Sequence, residues 1–237
     1  MKTLAGEDTE LLRNEEGKMI EPPSQEVDKL MKSKRFYKKQ YPSKVPHYYV
    51  HNIEEVRVDG LWLEFGVWVG TSINIIADCM RFLGKGDQII HGFDSFEGLP
   101  EDWVDPETGE RQDEGYKGCF DLQGEFPSKR FHNIKYVKGW FDESLPSFVE
   151  ENTGPVAFLH IDSDLYSSAK TIFDCLEKQI VPGTVILFDE FYNYQGYQAH
   201  EYRAFKEFVE KNNVKYRWLS HVAGLGRQAA LIIEEIK

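Results

Sequence analysis

The stretch LWLEFGVWVGTSINIIADCMRF, residues 61–82, carries the reading of the fold. Leu61–Phe65 is a short, mostly apolar run with strand character. From Thr71 the period changes, and Ile73, Ile76, Ala77 and Met80 fall on one face of a helix. Between the two lies a turn of spacing E-x-G-x-x-x-G, with Glu64, Gly66 and Gly70 at the marked positions. A strand that passes through a glycine turn into an amphipathic helix is the opening unit of an α/β protein.

The rhythm continues outward. Gly84-Lys85-Gly86 closes the helix, and apolar runs at 88–93, 134–137, Val156–Ile161 and 184–188 follow as strands. Helical patterns cover 169–177, ended by Pro182-Gly183, and 200–211. Runs at 216–220 and 229–234 form a closing hairpin around Gly224-Leu225-Gly226. The central runs are apolar throughout, as strands are when helices cover both sides of a sheet. The expected fold is a doubly wound, mostly parallel seven-stranded sheet in a three-layer α/β/α sandwich, with a terminal antiparallel strand. The segment 101–130 breaks the rhythm with Pro106, Pro127, several glycines and many charges, and is expected to be a substrate loop. Residues 1–57 read as an N-terminal arm and helical lid, with a helix at 26–39 ended by Tyr41-Pro42 and Val45-Pro46. Residues 58–237 read as the main domain.

The chain has 237 residues, 41% hydrophobic and 29% charged, with a formal net charge of −12. So acidic a chain repels phosphate backbones, which excludes nonspecific nucleic-acid binding. Cys79, Cys119 and Cys175 are odd in number and far apart, so a reducing cytoplasm is expected. The first ten residues, MKTLAGEDTE, lack the apolar core of a signal peptide, and no apolar run has the length of a membrane span.

In doubly wound sheets ligands bind at the carboxyl ends of the strands. Trp68 stands where a dinucleotide fingerprint has its middle glycine, so a pyrophosphate fits this turn poorly. Glu64 instead suits an ammonium group. Asp94, after the second strand, can accept from both hydroxyls of a ribose, or it can cap a turn beside Ser95. Trp140 and Phe141, after the third, can flank a purine or pack in the core. An ammonium partner, a ribose partner and an aromatic slot on three successive strand ends match S-adenosylmethionine in order. The candidate cofactor residues are Glu64, Phe65, Gly66, Gly70, Thr71 and Ser72 in the first unit. Asp94 and Ser95 follow in the second, Gly139, Trp140 and Phe141 in the third, and Asp162 in the fourth.

The fourth strand runs into HIDSDLY and the fifth into FDEFYNY. Asp162, Asp164, Asp189 and Glu190 thus converge on one crevice. Carboxylates so crowded repel one another unless protons or a cation lie among them, and all-oxygen ligands suit Mg2+ or Ca2+ better than zinc. The candidate metal ligands are Asp162, Asp189 and Glu190. Asp164 is the first candidate base for an acceptor hydroxyl and His221 the second, with His160 a rival inside an apolar strand.

The segments LEFGVWVGTSIN, GFDSFEGLP, VKGWFDESLP, FLHIDSDLYSSAKTIFDCL and PGTVILFDEF together resemble the macrocin O-methyltransferase family of class I S-adenosylmethionine-dependent methyltransferases. The resemblance spans about residues 58–192 and implies a Rossmann-like sheet and Mg2+-assisted methylation of a hydroxyl on a sugar or other secondary-metabolite acceptor. It also implies a homodimer or higher homo-oligomer. The family commonly has two aspartates after the fifth strand, where this chain has Asp189-Glu190. Two other readings stay open: metal-independent methylation of nitrogen or a carboxylate, and donor binding without chemistry.

Overall fold

In the computed structural model, which describes residues 46–112, 115–222 and 226–237, the strand-turn-helix unit forms as its pattern dictates. Helix α1 (Pro46–Ile53) is followed by β1 (Leu61–Phe65), α2 (Thr71–Phe82), β2 (Ile90–Asp94), β3 (Ile134–Lys138) and α3 (Phe141–Glu151). Then come β4 (Val156–Ile161), α4 (Tyr166–Leu176), β5 (Ile180–Phe188), a 3-10 turn at Tyr197–Ala199, α5 (Glu201–Lys211), β6 (Lys215–His221) and β7 (Ala229–Glu235). The expected helix at 26–39 and the tip of the last hairpin lie outside the described residues.

The seven strands form one sheet in the order β3-β2-β1-β4-β5-β7-β6. Strands β1 to β5 are parallel, and β7 runs antiparallel to both β5 and β6. The antiparallel strand is therefore last in the chain yet second from the sheet edge, because β6 crosses over to the outside first.

Side-chain alternation sorts the core into two layers. Leu63, Phe65, Leu159, Ile161, Ile186 and Phe188 face α4 and α5. Trp62, Phe158, Val185 and Leu187 face α1 and α2. Glu64 and His160 alternate with the first group, so they lie on the α1–α2 side. There Tyr49 meets the His160 ring edge-on at 5.7 Å. Tyr48 and Tyr49 of α1 are buried in this core.

Local pattern failed at three places. Helix α1 starts at Pro46, where the sequence suggested an ending, because proline suits the first helical position. Helix α3 was hidden by Pro146 within it. Pro182-Gly183 lies inside β5 instead of ending α4, and the β4–β5 register shifts there.

Candidate functional site

Four hydrogen bonds extend the parallel ladder one step past the strand ends. Gly66 N–H donates to Phe93 O at 3.0 Å and Gly139 N–H to Asp94 O at 3.0 Å. Asp162 N–H donates to Phe65 O at 2.8 Å and Asp189 N–H to Ile161 O at 2.9 Å. Four post-strand residues are thereby set along one edge. Gly66 is where glycine is required: its φ is +88°, and a Cβ there would lie 1.7 Å from the Asp162 carbonyl oxygen. This contact joins the β1 turn to the acid-bearing β4 turn.

A cavity of about 1570 Å³ opens on this edge, larger than the roughly 300–1,000 Å³ of an ordinary small-molecule pocket. Gly66, Thr71, Ser72, Asp94 and Ser95 line one end, with Trp140 and Phe141 beside them. Asp162, Ser163, Asp164, Asp189 and Glu190 line another part. Glu101, Trp103, Arg111, Lys117 and Phe120 add walls from the 101–130 segment, and Tyr194 and Arg227 also line the cavity.

Among the residues predicted from sequence, Glu64, Phe65, Gly70, Gly139 and His221 are absent from this lining. Phe65 packs inward against Phe93 and Phe141. Glu64 is 0% exposed; its Oε1 accepts from Ser72 Oγ at 2.7 Å and its Oε2 lies 3.6 Å from His160 Nδ1. It holds the side chain of a wall residue from beneath. Burial alone would favour a neutral His160, but Glu64, then Asp162 and Asp189, outweigh it and raise the pKa of the ring. His221 is 3% exposed, and burial pushes its pKa down to about 4.

The Asp94 carboxylate is spent largely on its own fold. Its Oδ2 accepts from the amides of Val67 and Trp68, both at 2.8 Å, and its Oδ1 from Phe96 N–H at 2.7 Å. It clamps the first glycine turn to the end of β2. That clamp sets Trp68, with a left-handed φ of 45°, 43% exposed at the cavity wall, edge-on to Phe120 at 5.2 Å.

The acids converge, in two overlapping triads. One ligand atom each from Asp162, Asp164 and Glu190 lie within 4.8 Å of one another, as do those of His160, Asp162 and Asp189. The sequence-derived trio of Asp162, Asp189 and Glu190 is split between them, with Asp162 in common. Burial, then the charges of Asp189, Asp162 and Asp164, raise the Glu190 pKa well above the ordinary range. Its Oε2 is buried and lacks a hydrogen-bond partner among the described residues. Crowded oxygens with an unmet buried acceptor fit a hard dication.

Sequence reasoning missed Glu201. It is 0% exposed under the acid cluster, and its Oε1 accepts from Ser163 N–H at 3.0 Å. Burial outweighs that bond, and with Asp164, Asp162 and Asp189 it raises the carboxyl pKa well above the usual range. One signal was available: Glu201, Ala204, Phe205 and Phe208 share the buried stripe of α5, and an acid on an apolar stripe is unusual.

Sheet order and carboxyl-edge cavity together define a Rossmann-like α/β/α protein with a two-part ligand crevice. The family profile described as Macrocin-O-methyltransferase (TylF) matches residues 46–218, and the chain belongs to that family. Among curated proteins it is similar to an 8-demethyl-8-(2,3-dimethoxy-alpha-L-rhamnosyl)-tetracenomycin-C 4'-O-methyltransferase of Streptomyces olivaceus. The two are 27% identical over 151 residues, 59% of this chain and 57% of that protein. It is also similar to demethyldecarbamoylnovobiocin O-methyltransferase of Streptomyces niveus, 28% identical over 145 residues, 56% of this chain and 53% of that one. The chain thus spans little more than half the length of these relatives. Among solved structures, the calicheamicin methyltransferase CalS11 aligns with a TM-score of 0.61 at 20% identity, covering 79% of this chain and 77% of that one. The O-methyltransferase NovP aligns with a TM-score of 0.61 at 18% identity, covering 81% and 80%. At such identities the two alignments speak for the fold. No helix among the described residues is long and apolar enough to cross a membrane.

Proposed function

We propose that this protein is an S-adenosylmethionine-dependent O-methyltransferase that uses a hard dication, Mg2+ by ligand chemistry, to methylate a hydroxyl of a sugar-bearing or related small-molecule acceptor. The observation that carries the proposal is the single cavity in which the first two strand-end turns meet the acids that follow β4 and β5. Family membership and the two curated relatives, both named O-methyltransferases, support it.

The donor, when bound, supplies a methyl group on a positively charged sulfur, open to in-line attack by oxygen. The dication supplies positive charge that makes an acceptor hydroxyl easier to deprotonate. The chain supplies the rest. Gly66, Thr71 and Ser72 would hold the donor at the first turn, Ser72 being oriented by Glu64 from below. Ser95, Trp140 and Phe141 would take its nucleoside end. Asp94 contributes chiefly by fixing the backbone of the first turn. Asp162, with Asp189 and Glu190, would ligate the cation, and Asp164 would take the hydroxyl proton. His221 is shut away from the cavity and has no part in this scheme. Alignment of two held reactants is worth up to about 7–11 kcal/mol. Residues 101–130 supply Glu101, Trp103, Arg111, Lys117 and Phe120 to the cavity wall, and so would choose the acceptor.

Titration calorimetry with S-adenosylhomocysteine and with Mg2+, followed by transfer of labelled methyl to a panel of glycosylated acceptors, tests the reading. Asp162→Ala and Asp189→Ala are expected to lose turnover by at least about 100-fold while cofactor affinity survives. Wild-type turnover that is indifferent to EDTA would remove the dication, and absence of donor affinity would remove the whole proposal.

A further inference from the structure

We infer that Glu201, the first residue of α5, is a positioning residue that holds the 162–164 turn so that Asp162 and Asp164 both face the cavity. Its functional meaning rests on the acid cluster acting as proposed above.

The chain passes from β4 to α4 through only four residues, 162–165. The first is pinned by the ladder bond from Asp162 N–H to Phe65 O. Asp164 adopts a left-handed φ of 60°, a conformation that a side chain other than glycine keeps only where its surroundings impose it. Between them Ser163 has left the sheet, and its amide has no strand partner. It donates to Glu201 Oε1 at 3.0 Å, across 38 residues of sequence, and Ser163 Oγ lies 3.4 Å from the same oxygen.

A helix first turn favours an acid, but an exposed one serves that purpose. Glu201 is wholly buried, and its Oε2 has no hydrogen-bond partner among the described residues. Burying a carboxyl group with half its acceptors unmet is unfavourable by several kcal/mol in general, so its placement calls for a compensating role. Glu201 does not line the cavity, so it acts through Ser163 and not on a ligand. The adjacent His200 ring contacts Val104 O at 3.0 Å. The start of α5 therefore holds both the acid-bearing turn and the 101–130 wall.

Two variants separate positioning from bulk. E201Q keeps an acceptor for the Ser163 amide. E201M removes it while filling the same space, and it relieves a buried acid, so it is expected to fold. The readouts are amide hydrogen exchange at Ser163 relative to β4, Mn2+ affinity and S-adenosylhomocysteine affinity. E201M is expected to speed Ser163 exchange at least about 10-fold and to weaken Mn2+ by about 10–100-fold, as lost outer-shell partners do. Cofactor affinity should stay unchanged, and E201Q should resemble wild type. E201D, whose acceptor is withdrawn by one methylene, should shift the same readouts in the same direction. Folded E201M or E201D with wild-type Ser163 exchange overturns the inference, as does a loss of thermal stability with no change at Ser163. If wild type itself binds no Mn2+, the dication reading fails while Ser163 exchange still decides the role of Glu201.

Discussion

Gly66 shows how one residue couples two halves of the site. It has no room for a side chain and a φ that side chains rarely adopt, and both constraints come from its approach to Asp162 O. Gly66→Ala is expected to destabilise the protein by roughly 2–4 kcal/mol, read as a lower urea midpoint, because the new methyl must drive the β1 and β4 turns apart. An unchanged midpoint would mean that the turns are free to separate. His221 offers a pH test. Its folded pKa of about 4 lies below its ordinary value of 6.5. The unfolded chain therefore binds the proton first, and stability falls as pH drops from 6.5 towards 4. At 1.36 kcal/mol per pH unit the full loss is roughly 3 kcal/mol. His221→Gln should abolish that part of the decline. Urea titrations of both proteins at pH 7 and pH 4 give the difference, and parallel losses would show that the ring protonates as readily folded as unfolded.

At the scale of elements, α1 lies in the segment expected as arm and lid, yet it is part of the core. Its tyrosines cover the α1–α2 face of the sheet, next to Glu64 and His160. A buried polar link locks it in place: Ser220 Oγ donates to Asn52 Oδ1 at 2.8 Å, and Asn52 Nδ2 donates to Tyr48 O at 2.8 Å. Asn52→Ala leaves the buried β6 hydroxyl without this acceptor, at an expected cost of about 1–3 kcal/mol. In a double-mutant cycle, adding Ser220→Ala should recover part of that loss. Strict additivity would show that the pair does not couple α1 to β6. The strands were legible because their apolar runs need no knowledge of a partner. Helices α1 and α3 were not, since proline at Pro46 and Pro146 reads locally as a stop, whereas the fold accommodates it within a helix.

Across the whole molecule, the 101–130 segment is tied to the chain after β2 by backbone bonds, among them those from Leu122 N–H and Gly124 N–H to Phe96 O, and to other elements by side-chain contacts. Gln195 Nε2 donates to Asp105 Oδ2 at 3.0 Å, and Asn74 Oδ1 accepts from Arg130 N–H at 2.8 Å. Trp103 is buried against Tyr194, its ring 5.4 Å away. Gln195→Ala is expected to loosen the wall without touching the donor end. Proteolytic cleavage within 101–130 should speed up several-fold while S-adenosylhomocysteine affinity holds. Cleavage at the wild-type rate would assign the wall's order to its other attachments, the backbone bonds to Phe96 and Leu99 and the packing of Trp103.

From its own residues the chain determined the alternation of strand and helix, the burial of the sheet on both sides, and the delivery of acids after β4 and β5. Periodicity and the residues that follow an apolar run are local properties, and local sequence carries them. Only the tertiary structure decided that β7 slots between β5 and β6, that Asp94 clamps a backbone turn, that Glu64 and His221 lie outside the cavity lining, and that Glu201 reaches beneath the acids. Each of these depends on which distant group a side chain meets. That choice is made by packing two layers against one sheet, and no window of neighbouring residues contains it.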